Sequence, residues 1–268
     1  MHQPTATPTT RSAHPRPWRF LLLVTVLSVP FLVAGSLFDG VVLGGLHLPM
    51  SALMAVVPGI AALLLVGRDE GREGVWRMLR RLGDVRRAGA VRLALAALLP
   101  QAVAALAWLA GLALGHTPPP VAVSPLGVLA MATLFLVSAA FEELGWTGHA
   151  TPPLVRRFGA LGAGLLLGAA CGLWHLVPLL QAGHDAVWIA GWAIGTVAAR
   201  VVMVQLWDWR DGRPGESLAL AVVLHASLNV AAALLPGGQE GTTQLLHGPA
   251  SAVVAVVTTM LVSWRSRR

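Results

Sequence analysis

The chain has 268 residues, 56% of them hydrophobic and only 12% charged, with a formal net charge of +7 and a single cysteine, Cys171. Soluble domains carry about 25% charged residues, so the composition excludes a water-facing globule and a disordered chain, and one cysteine excludes a disulfide scaffold. Every basic residue other than histidine is an arginine, and the arginines interrupt apolar runs instead of forming one soluble basic domain, which points to a bilayer and away from nucleic acid.

In chain order, residues 1–19 are rich in Pro and Thr and read as a disordered cytoplasmic arm. Runs of the length a bilayer needs, roughly 17–25 residues, follow at Phe20–Phe38, Leu46–Val66, Leu93–Gly115, Pro125–Phe141, Gly159–Leu180, Val187–Trp207, Leu218–Leu235 and Leu246–Trp264. The first reads as a retained signal-anchor, because Val33-Ala34-Gly35 is a poor cleavage site. Segment 68–92 sets Val75, Trp76, Leu79 and Leu82 at helical spacing against its arginines, which predicts a basic interfacial helix on anionic lipid.

Arginines precede span one and crowd 68–92. They recur after span four (Arg156, Arg157), after span six (Arg210, Arg213) and in the basic tail 265–268, while the alternate loops hold none. The positive-inside rule then gives an all-α polytopic membrane bundle of about eight transmembrane helices with both termini cytoplasmic. It forms one transmembrane domain over 20–264 in a plasma membrane, the inner membrane of a bacterial source.

Ionisable groups within spans are costly and mark functional sites. Glu142 and Glu143 are adjacent at the end of span four, so in a poorly hydrated site one carboxylate must be protonated or paired. A carboxylate so placed suits general-base chemistry on water. His175 follows Gly164, Gly168 and Gly172, a close-packing face that aims it into the bundle. His225 and Asn229, four apart, share a helix face and can offer two donors to a developing oxyanion. Arg200 is the one basic residue inside a span. The other histidines carry no assigned role.

The order of the motifs, Glu142-Glu-Leu-Gly-Trp-Thr-Gly148, then Trp174-His175, then His225-Ala-Ser-Leu-Asn229, resembles the CPBP intramembrane proteases, the CAAX protease and bacteriocin-processing group. That group includes the type II CAAX prenyl endopeptidases. The resemblance covers about 125–233. The family pattern is Glu-Glu-x-x-x-Arg, Phe-x-x-x-His and His-x-x-x-Asn, and this chain departs from it at Thr147 in place of the arginine and at Cys171 in place of the phenylalanine.

The resemblance implies an intramembrane endopeptidase acting on a peptide or protein at the membrane. Glu142 activates water with His175 as partner, His225 and Asn229 hold the oxyanion, and Glu143 supports. No cofactor is required by this glutamate mechanism. A divalent metal such as zinc, if bound, would take Glu142, His175 and His225. A catalytically silent membrane scaffold or a bacteriocin-immunity protein is the alternative, suggested by Thr147. A proton-coupled transporter is disfavoured by the lack of repeated halves.

Two geometric expectations follow. At ~1.5 Å per residue, His175 lies ~24 Å above Gly159 while Glu142 is near the cytoplasmic end of span four. The two meet only if span five begins late, beyond 155–162, or span four bends inward. Arg200, about 20 Å from the external face, reaches the level of Glu143 and is expected to pair with it, leaving Glu142 free.

Overall fold

A computed structural model describes residues 17–43, 46–118, 121, 123–208 and 217–265. The arm over 1–16, the loop residues Arg210 and Arg213 and the tail 266–268 lie outside them. The expected spans appear as helices: α1 Pro17–Leu37, α2 Val57–Arg80, α4 Ala90–Ala113, α5 Pro125–Glu143, α6 Thr151–Gln181, α7 Ala186–Asp208, α8 Leu218–Leu234 and α9 Gly241–Arg265. A four-residue helix, α3 Val85–Ala88, precedes α4.

Six helical stretches are long and apolar enough to cross a membrane. One of them, Pro125–Gln181, is 57 residues long and holds two of the expected spans, whereas α8, at 17 residues, is a shorter apolar helix. The chain is an all-α polytopic, multi-pass membrane bundle.

The span expected over Leu46–Val66 begins later. Val41–Leu43 (β1) and Leu46–Leu48 (β2) pair antiparallel, and a 3₁₀ turn over Met50–Val56 leads into α2. Three apolar residues alternating out of a hairpin read, in sequence, like the start of a helix.

The interfacial segment also needs correction. Gly71, at φ +68°, breaks α2, and the helix beyond it turns Val75, Met78, Leu79 and Leu82 onto the protein's own core. Trp76 stays outside with the arginines, half exposed. The apolar face that resembled a lipid-facing stripe is therefore a packing face.

The arrangement that positions the site is built around α7, which packs along α9 and α6, while α8 lies between α4 and α5. Small residues permit this. A Cβ at Gly164 would sit 2.7 Å from Val201 Cα and one at Gly168 2.7 Å from Val197 Cα, so only glycine lets α6 close on α7. The glycine face ends there: at Gly172, one turn before His175, none of the described residues lies within 4 Å of a would-be Cβ. Large apolar residues such as Leu22, Val29 and Val33 on α1 and Val253, Val257 and Met260 on α9 face outward, as a bilayer requires.

Candidate functional site: a buried glutamate pair, an arginine and two histidines

The chain leaves α5 at Glu143 through a wide π-helical turn, Leu144–Ala150, in which every residue is buried. Such turns insert an extra residue per turn and are frequent at functional sites. Glycine makes room for this one. A Cβ on Gly145 would lie 2.5 Å from the Pro58 carbonyl oxygen, so the turn sits directly on the start of α2. Thr151 donates its hydroxyl to the Trp146 carbonyl at 2.8 Å, satisfying an acceptor the wide turn leaves over. The chain then continues into α6 and changes direction at Gly159, whose φ of +70° an L side chain rarely adopts. The late start expected of span five is thus a glycine kink.

Glu143 is fully buried and fully engaged. Its Oε2 accepts from Arg200 Nη1 at 2.8 Å and from the Thr147 hydroxyl, and its Oε1 faces His225 Nδ1 at 2.7 Å. The expected Arg200–Glu143 pair is formed, with side chains 5% and 0% exposed. Thr147, one turn beyond Glu143 where the family pattern has arginine, contributes a hydroxyl, and the positive charge comes from α7 instead.

Glu142 differs in kind. It is buried, yet its Oε2 has no hydrogen-bond partner among the described residues. It lies within electrostatic reach of both His175 and His225. One carboxylate is therefore neutralised and fixed, and its neighbour keeps an oxygen free.

The two histidines are held at the same ring atom. His175 Nδ1 lies 2.8 Å from the Cys171 carbonyl one turn earlier. A carbonyl only accepts, so Nδ1 carries the proton and Nε2 presents a lone pair. The ring is set edge-on against Trp174, with centroids 4.6 Å apart, and rests near Trp192. His225 Nδ1 meets an acceptor-only carboxylate, which likewise leaves Nε2 facing away from the pair.

The rotation of α8 is set from its far side. Gln101 Nε2 donates to Ser227 Oγ at 3.0 Å, and Ser227 donates to the Ala97 carbonyl. With Ser227 against α4, His225 and Asn229, about 200° around the helix, turn to the opposite side. Asn229 is half-buried there.

Sequence reasoning missed three contributors. The Cys171 backbone carbonyl holds His175, and its Sγ lies 3.5 Å from Arg200 Nη2. The Trp146 ring lies 5.9 Å from the guanidinium carbon. Thr147 ligates Glu143. Of these only Thr147 left a trace in the pattern, at four residues after Glu143; the others are contacts between helices. His149 is buried against Phe20.

Glu143 is consumed by three donors, and no group of three His, Cys, Asp or Glu side chains placed to hold an ion exists among the described residues.

The all-α membrane bundle thus holds a buried carboxylate pair, an arginine and two histidines. Residues 123–231 match the family model of the Type II CAAX prenyl endopeptidase Rce1-like proteins. A CAAX prenyl protease 2 of Methanococcus maripaludis is 28% identical over 115 residues, which is 40% of this chain and 41% of that protein. The matched stretch thus spans about two-fifths of that relative's length. The matched segment contains all three motifs, so the similarity falls on the residues that carry the site.

Proposed function

We propose that the protein is an intramembrane endopeptidase of the CAAX type, hydrolysing a peptide bond near the C-terminus of a membrane-associated peptide. The observation that carries this is the contrast between the two glutamates. Glu143 is pinned by three donors, while Glu142 keeps a buried oxygen without a partner among the described residues, within electrostatic reach of two histidines.

Water held between Glu142 Oε2 and His175 Nε2 loses a proton to Glu142 as its oxygen attacks the carbonyl carbon. The oxyanion so formed is held by His225 Nε2–H and the Asn229 amide. For Nε2 to donate, the His225 ring carries both protons, and Glu142 balances that charge while Glu143 balances Arg200. Glu142 then returns its proton to the leaving amine, the C–N bond breaks, and a new carboxylic acid and a free amine depart, the acid releasing its proton to solvent. No metal or other cofactor takes part in these steps.

The reading places the protein in the plasma membrane, with both termini cytoplasmic and the lipid bilayer and a peptide substrate as its partners. The silent-scaffold alternative rested on Thr147. It loses its ground where Arg200 supplies the charge.

The test uses purified protein in lipid nanodiscs and two fluorogenic peptides ending in Cys-aliphatic-aliphatic-X, one farnesylated and one not. Mass spectrometry should find a single cleavage after the cysteine of the farnesylated peptide, unchanged by 1,10-phenanthroline. No cleavage of either peptide by folded protein would overturn the proposal.

A further inference from the structure

Arg200 touches the supports of both histidines. Nη1 bonds Glu143 Oε2 at 2.8 Å, and the other oxygen of that carboxylate holds His225 Nδ1 at 2.7 Å. Nη2 lies 3.5 Å from Cys171 Sγ, and the carbonyl of the same cysteine holds His175 Nδ1 at 2.8 Å. The guanidinium is nearly fully buried, between Met203 Sδ at 3.4 Å and the Trp146 ring. A planar fork with fixed donors suits this junction; an ammonium would reach one arm but not both.

We infer that Arg200 is the positioning residue of the site. It keeps Glu143 ionised and aimed, and through Glu143 it fixes the His225 proton on Nδ1 and the orientation of its Nε2. It touches neither water nor peptide in the mechanism above.

A second consequence follows from Thr147. Its hydroxyl and Arg200 Nη1 meet on the same carboxylate oxygen, and both lie against Met203 Sδ. Position 147 is one turn from Glu143 on the same face. An arginine there can occupy the volume the Arg200 guanidinium vacates, so the charge is exchangeable between α7 and the π-helical turn.

The activity arm of the test rests on the protease reading, and the spectroscopic arm does not. Full-length protein labelled with ¹⁵N-histidine is studied in nanodiscs, with a His225→Gln variant assigning the signal. Wild type should show His225 with both ring nitrogens protonated. Arg200→Gln should lose it while His247, on α9, keeps its own. Cleavage of the farnesylated peptide should fall on the order of 10²-fold in kcat with KM little changed, the scale on which groups that orient a catalytic histidine act. Thr147→Arg/Arg200→Ala should restore both the His225 pattern and most of kcat, and it stands as the test should Arg200→Gln fail to fold.

A His225 signal unmoved in Arg200→Gln, or a double variant that neither folds nor recovers the signal, overturns the inference. A signal that follows Arg200 in protein that cleaves nothing upholds the positioning role and refutes the protease reading instead.

Discussion

Removing the buried ion pair from one side or from both should give very different losses. The Arg200–Glu143 separation is 2.8 Å, and at an effective dielectric of about 20 Coulomb's law gives roughly 6 kcal/mol of attraction. Withdrawing the two charges from water costs several kcal/mol per ion, so the intact pair contributes little net stability. Loss of one partner strands the other. Glu143→Gln, which leaves the arginine among sulfurs and an indole, should cost about 3–5 kcal/mol. Arg200→Gln should fall at the lower end of that range, because Thr147 and His225 still bond the carboxylate. The double variant leaves two neutral amides able to bond each other, at a cost of about 1–2 kcal/mol. Reversible unfolding in mixed micelles, read by tryptophan fluorescence, should therefore show a coupling of at least about 2 kcal/mol. Strictly additive losses would refute the reasoning.

Gly168→Ala should cost about 1–3 kcal/mol by forcing α6 off Val197, whereas Gly172→Ala, with open space around it, should be neutral or stabilise by up to about 1 kcal/mol in the same unfolding assay. His184 stacks on Trp188 with ring centroids 3.5 Å apart, and burial pushes its pKa below the usual histidine value, with Asp185 opposing. The folded state thus prefers the neutral ring, so stability should decline as pH falls through the ordinary value near 6.5. A Trp188 fluorescence step centred below that pH, and absent in His184→Gln, checks this. Single cysteines at positions 80 and 156 should resist an impermeant thiol reagent in intact cells while one at 238 reacts, Cys171 being buried and silent; labelling at 80 would reverse the assigned orientation.

The spans were legible because apolar length and arginine placement are local properties of the chain. So were Glu142, Glu143, His175 and His225, since a polar residue in an apolar run announces itself. The Arg200–Glu143 pair could be reached by elimination and depth, as each was a charge without a local partner. What escaped reading depends on the backbone's path. Gly71 and Gly159 are ordinary glycines in sequence, and only their positive φ shows that they break helices. Trp76 and Val75 are adjacent apolar residues, yet the kink at Gly71 sends one outward and the other onto the core. Cys171 stood where a phenylalanine was expected, and its importance lies in its carbonyl, which no sequence pattern records.

The central claim is that the unpartnered oxygen of Glu142 activates water. It is tested most directly by comparing wild type with Glu142→Gln, which keeps the side chain's size and leaves Glu143, Arg200 and His225 untouched. With equal amounts of folded protein in nanodiscs and the farnesylated peptide as substrate, kcat should fall by about 10²–10⁴-fold, the contribution of a positioned general base. The Arg200–Glu143 coupling should be unchanged. Cleavage by Glu142→Gln at the wild-type rate would contradict the account.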